Sequence, residues 1–264
     1  MQSTIRAGSR TKFCDVLRKS LGDKALATIK SDSDKGNIPE HISKMLSIHN
    51  NDASMSTSKY MCTTQRPLPV EIPTSLSPLA LQIGFNGKIP RWKKDQTVQF
   101  ATLSEGYPTR SQAELAAYRL NEAATQWNDY NIGVTFKWVD EVEDAAFVLA
   151  YGGDAGTTLA EAFFPNSNDL STLFVYQRAF QPGSINYLAN IFLHELGHVL
   201  GLRHEFAAQE GEAVPFGPPN PLSVMSYKFP PQIQESDIAS TRAFYEFAAA
   251  EIQGLEIQDE IPDN

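Results

Sequence analysis

The 264-residue chain suits one catalytic-sized domain with an appended segment, and its 42% hydrophobic and 20% charged residues are ordinary for a soluble globular protein. Against 31 Asp and Glu stand 22 Lys and Arg, a net charge of −9 that excludes nucleic acid as the main partner, because phosphate binding needs a basic surface. No apolar run approaches the length that spans a bilayer, so no transmembrane segment is expected, and the first residues lack the apolar stretch of a secretory signal.

Residues 1–75 read as a leader. Phe13, Val16, Leu17, Leu21 and Leu26 recur at roughly helical spacing within Met1–Ile29, and Ile42, Met45 and Leu46 predict a second short helix. Polar stretches Ser31–Asn37 and Asn50–Lys59 leave the segment helical or disordered in part, and Pro67, Pro69, Pro73 and Pro78 mark an extended linker. The chain's two cysteines, Cys14 and Cys62, both lie here, and a bridge between them is one of the open pairings.

Residues 76–255 carry the denser pattern of a catalytic domain, followed by an acidic tail over 256–264. Thr97–Leu103 reads as a strand, and Ser111 with Glu114 forms a capping box opening a helix to about Trp127, with Ala116, Leu120, Ala123 and Trp127 as its apolar stripe. Val134–Val139 alternates, Ala145–Tyr151 is apolar enough for a strand covered on both faces, and Thr158–Phe164 and Thr172–Tyr176 are further strands. Helices follow over about Asn186–Leu200 and Glu235–Ala249. Strands alternating with helices predict an α/β or α+β sheet domain with a helix packed beneath.

The decisive stretch is His194-Glu195-Leu196-Gly197-His198-Val199-Leu200-Gly201-Leu202-Arg203-His204. Positions four apart share one face of a helix, so His194 and His198 can grip one zinc ion, which takes imidazole nitrogens tetrahedrally and keeps one position open in catalytic sites. Glu195 is placed beside them to take a proton from water. Gly201 can adopt positive φ and turn the chain so that His204 returns as a third ligand. A bare H-E-x-x-H arises by chance in a chain this long on the order of 1% of the time, and the added glycine and histidine lower that to about one in a hundred thousand.

This motif resembles that of the metzincin zinc endopeptidases, which include astacins, serralysins and matrixins. The resemblance implies an α+β fold: a twisted, mostly parallel sheet with an edge strand, a long active-site helix, and a small C-terminal subdomain with a methionine turn and terminal helix. Ser223-Val224-Met225-Ser226-Tyr227 is similar to that turn, with Met225 beneath the metal and Tyr227 matching the tyrosine that astacins and serralysins place near it to stabilise the oxyanion. Gly156–Pro165 resembles the matrixin edge strand, so that Leu159, Ala160, Glu161 and Ala162 would pair with an extended substrate. Glu161 stands where matrixins have a ligand for a structural zinc, so one catalytic Zn2+ is expected; Asp154 and Asp169 are the candidates for a calcium. Glu205 after the third histidine is astacin-like, which makes the chain a mosaic.

The function implied is hydrolysis of internal peptide bonds of polypeptide substrates by a zinc-bound water that Glu195 activates, in a monomeric, secreted protein. Val199 and Lys228–Pro231 are expected to wall the pocket for the side chain after the cut. Cys62, by resemblance to the propeptide cysteine of matrixins, would reach the zinc as a thiolate and hold the enzyme latent, although the residues around it do not match the matrixin motif. Two other readings are a non-catalytic binding protein that keeps the fold and a metal hydrolase acting on something other than peptides; the intact ligand set and the candidate edge strand argue against them.

Overall fold

The computed structural model describes residues 14–16, 18–20, 22–31, 39–49, 61–62, 64, 80–168, 170–205, 207 and 213–264. In chain order the strands are β1 (Thr28–Ile29), β2 (Met61–Cys62), β3 (Ala80–Ile83), β4 (Lys88–Trp92), β5 (Thr97–Leu103), β6 (Thr135–Trp138), β7 (Phe147–Tyr151), β8 (Thr158–Glu161), β9 (Ser171–Val175), β10 (Leu202–Arg203), β11 (Val214–Pro219), β12 (Glu251–Ile252) and β13 (Leu255–Glu260). The α-helices are α1 (Glu40–His49), α2 (Arg110–Asp129), α3 (Leu188–Val199) and α4 (Glu235–Glu246). Among the described residues, no helix is long and apolar enough to cross a membrane.

The main sheet runs β1-β5-β7-β9-β8-β2, with β6 beside β5. Pairs β5–β6, β5–β7 and β7–β9 are parallel and β8–β9 is antiparallel. Parallel strands are covered on both faces, which is why Phe147, Val148 and Leu149 are apolar in succession and all buried. The expected mostly parallel α+β sheet is present. Helix α2 packs its stripe of Ala116, Leu120, Ala123 and Trp127 inward, each fully buried, and the Trp127 indole donates to the Leu193 carbonyl of α3 at 3.1 Å.

Helix α2 starts differently from the sequence reading. Thr109 is its N-cap, with Oγ1 accepting from Gln112 N at 3.2 Å, while Ser111 lies inside the helix and Glu114 pairs with Arg110. Thr109 and Ser111 are both cap-competent, and the one directly after Pro108, in extended conformation, wins.

A small sheet, β10-β3-β11, and another, β12-β13-β4, flank the main one. In the latter, β13 lies parallel to β4 with Glu260 opposite Trp92, so residues read as an acidic tail form a strand instead. Arg91 of β4 fastens it, with Nε donating to Asp259 Oδ1 at 2.6 Å.

The N-terminal segment contributes to both ends of the main sheet. Residues 14–16 and 18–20 are helical, but the helical reading of Met1–Ile29 fails at its end: Ile29 lies in β1, antiparallel to the last residues of β5. An open strand edge outweighs weak helical periodicity there. Phe13, Leu17 and Leu21 lie outside the described residues, as do the linker prolines Pro67, Pro69, Pro73 and Pro78. Helix α1 forms over the stretch expected for the second helix. At the other end β2 pairs parallel with β8, Cys62 opposite Ala160.

Candidate metal centre

Helix α3 forms from a stretch so apolar that almost every residue of it is buried, including His194, Glu195 and His198. Its surroundings fix the rings. A carbonyl can only accept, so His194 Nδ1 donates to Val224 O at 2.7 Å and His198 Nδ1 donates to Leu202 O at 2.8 Å. Both Nε2 lone pairs are thereby turned toward one point.

The helix ends at Leu200, and Gly201 takes φ 91°, with its amide donating to His198 O at 2.8 Å. A Cβ at Gly201 would lie 2.6 Å from Pro90 O, so both the conformation and the space demand glycine. Beyond it β10 pairs with β3 and delivers His204, whose Nε2 lies 3.2 Å from those of His194 and His198. Four-coordinate zinc with Zn–N of about 2.0–2.1 Å separates its ligands by roughly 3.3 Å, so the donor set fits that ion in both chemistry and spacing. Burial lowers the pKa of His194 to about 4 and those of His198 and His204 well below the usual imidazole value, keeping all three neutral as ligation requires.

Met225 is fully buried, and a Cβ placed on Gly197 would meet its Sδ at 2.3 Å. The loop therefore seats against the middle of α3, where glycine leaves room for the thioether. Asp237 ties that loop to α4, its Oδ2 accepting from Val224 N at 2.8 Å and Gln234 N at 2.9 Å. The Tyr227 ring lies 5.0 Å from that of His204. Pro231 O accepts from Asn190 Nδ2 at 2.9 Å, and Phe229 meets Tyr187 edge-on at 5.2 Å, which holds Lys228–Pro231 against the start of α3.

Cys62 completes the cluster. Its Sγ lies 3.5 Å from His198 Nε2 and 3.6 Å from Glu195 Oε2, and Cys62, His194, His198 and His204 together form a buried group able to hold a metal. Burial, reinforced by the nearby Glu195 charge, pushes its thiol well above the ordinary value in the absence of a cation. No disulfide joins the two cysteines: Cys14 packs with Ala101, Val142 and Val148, remote from Cys62, so the bridge open to the sequence does not form.

Thr64 is the residue that sequence reading missed. Its hydroxyl donates to Glu195 Oε2 at 3.0 Å and accepts from Ala162 N at 2.8 Å, joining the carboxylate and the edge strand through one oxygen. Its spacing of two from Cys62 was the available signal, since such residues share one face of an extended chain. Burial raises the Glu195 carboxyl to about 8 despite these hydrogen bonds, and its Oε1 has no hydrogen-bond partner among the described residues.

Leu159, Ala160, Glu161 and Ala162 lie beside the cluster, and the outer edge of β8 is occupied by β2. Glu161 accepts from the Tyr176 hydroxyl at 3.1 Å. Asp154 is exposed and accepts from Gly156 N at 2.9 Å, an ordinary loop contact, and Asp169 lies outside the described residues. Glu205 is buried close to Asp237, and burial with that neighbouring charge raises its carboxyl to about 8.

The family model described as matrixin matches residues 91–245, more than half of the chain. No curated protein matches the sequence.

Proposed function

The chain belongs to the matrixin family of zinc metallopeptidases, and from that premise we propose that it is an endopeptidase whose zinc is held by His194, His198 and His204 and whose proton carrier is Glu195. The observation that carries this reading is the convergence of the neutral His194 and His198 Nε2 atoms on that of His204, each at 3.2 Å, with the Glu195 carboxyl beside them. Bound zinc supplies a Lewis acid for the scissile carbonyl and acidifies the attacking water.

Glu195 takes the water's proton and returns it to the leaving amine; burial tunes a carboxyl toward neutral pH, where it can do both. Tyr227, standing over His204, donates to the developing oxyanion. The N–H and C=O groups of residues 159–162 receive the substrate as an added strand once β2 leaves. Met225 supports the ligand helix from below through the space that Gly197 leaves.

Residues 1–75 act as a latency segment. The Cys62 thiol stands as the fourth donor beside the histidines, β2 occupies the substrate's edge, and Thr64 ties up Glu195. The test is digestion of a mixed peptide library by the zinc-loaded, full-length Cys62→Ser protein, read by mass spectrometry. We expect internal cuts that Glu195→Gln or a zinc chelator abolishes; a folded, zinc-loaded protein that cuts nothing overturns the reading.

A further inference from the structure

A cavity of about 490 Å³ opens beside the metal centre, bounded by Thr64, Phe85, Phe164, Pro165, Asn166 and Glu260 among others. Two of these residues touch the cluster directly: Thr64 hydrogen-bonds Glu195, and the Phe164 ring meets His198 edge-on at 5.6 Å. The volume is in the range that accepts one large side chain with room for water. Phe85 and Phe164 stack at 4.7 Å to form an aromatic wall.

Glu260 is 8% exposed, and the Gln258 amide is its hydrogen-bond donor. Among the described residues no Lys or Arg lies within ion-pair distance of it. The one lysine on the cavity, Lys88, has a side chain 52% exposed and reaches Glu256 at 4.0 Å, so it sits at the solvent rim and is screened. A buried carboxylate without a cation is costly to keep, and a cation that enters beside it is held strongly. Arginine and lysine carry apolar stems that suit an aromatic wall while their heads seek a carboxylate.

Glu260 is also rigidly placed. It stands opposite Trp92 across the β13–β4 pair, its carbonyl accepts from Lys93 N at 2.7 Å, and the Trp92 indole donates to Val199 O of α3 at 2.7 Å. The carboxylate is thus set at a fixed distance from the metal helix. Phe85, Gln258 and Glu260 all fall outside residues 91–245, which the matrixin model matches.

We infer that this cavity is a specificity pocket in which Glu260 selects a basic side chain, arginine or lysine, of the polypeptide being cut. The inference rests on the endopeptidase reading for what passes the metal. Its position along the substrate follows from the N-terminal segment, which has Cys62 at the cluster and Thr64 on the cavity wall. Two residues of a substrate bound in extended form cover about 7 Å, so the selected side chain lies two or three residues from the bond cut.

Two arms test it. Full-length protein is titrated with N-acetylarginine amide and N-acetylnorleucine amide, followed by saturation-transfer NMR, beside the isosteric Glu260→Gln. Arginine amide is expected to bind at least about tenfold better than norleucine amide, and Glu260→Gln to erase the difference. Equal binding of the two amides, or a preference that survives Glu260→Gln, overturns the pocket.

In the second arm the Cys62→Ser protein and its Glu260→Gln derivative digest the peptide library. Arginine or lysine is expected to be enriched at one fixed position two or three residues from the cuts, and the enrichment to be lost in the derivative. Cleavage without that enrichment overturns the pocket and leaves the endopeptidase standing. Glu260-dependent arginine binding by a protein that cuts nothing supports the pocket and removes the endopeptidase reading instead.

Discussion

The N-terminal segment meets the rest of the chain at opposite ends of the main sheet, and the two contacts are made of different chemistry. At β1 the contact is both apolar and polar and lies at the far end of the sheet from the metal centre: Ile29 packs with Ala113 and Ala117, Ser31 donates through N and Oγ to Asp140 Oδ1 at 2.6 and 2.7 Å, and Lys30 reaches Glu141 at 2.6 Å. At β2 it is two residues of strand, yet Cys62 and Thr64 touch a histidine, Glu195 and the edge strand from there. In the proposed function one contact holds the segment on and the other stops the site. Because both lie on one chain, the first keeps the second at high local concentration, and a short, weak strand pairing suffices to block the cleft.

The largest effect that separates them is on the plug. Cys62→Ser removes the sulfur donor and should raise peptide hydrolysis by about two orders of magnitude in full-length, zinc-loaded protein, measured as initial rate on the library's best peptide. No change would make β2 a bystander and undo the division. Thr64→Val keeps the shape and deletes the hydroxyl that Glu195 and Ala162 share, so a gain of about tenfold is expected in the same assay.

Changes at the anchor should be smaller and of another kind. Asp140→Asn should raise hydrolysis by a factor of only about two to three while speeding proteolytic removal of the segment. Asp140 also sets a pH dependence. The Ser31 hydrogen bonds, aided by Lys30, hold its pKa below the ordinary aspartate value. The group therefore favours the docked segment fully above about pH 4, and that contribution is lost as the pH falls through the depressed value. Pepsin cleavage within residues 14–64 should accelerate between about pH 4 and pH 2 in the wild type and show a flatter profile in Asp140→Asn.

The same contrast marks what the sequence could disclose. The α3 histidines were legible as a motif because their spacing is a local property of one helix, and Gly201 because a single backbone angle demanded it. Strands β5, β7 and β9 were legible from their apolar runs. Thr64 was not: a threonine in a polar stretch carries no periodic signal, and its role arises from partners 98 and 131 residues away. Strand β1 was hidden for the same reason, its partner lying in β5, and β13 was hidden because Glu256, Asp259 and Glu260 read as an acidic tail until β4 lies alongside. Local patterns show ligands, while contacts that regulate them are made at long range.

The β13–β4 pair has a consequence for the order in which the molecule is made. Trp92 of β4 braces the end of the ligand helix, yet β4 gains its own parallel neighbour only when residues 256–260 arrive, 168 positions later for the Arg91–Asp259 link. A pairing so distant in sequence closes late in folding. During synthesis the ligand helix therefore emerges from the ribosome well before its brace is finished, whereas the segment carrying Cys62 and Thr64 has already been made. In the terms of the proposed function, the stopper exists before the blade is set.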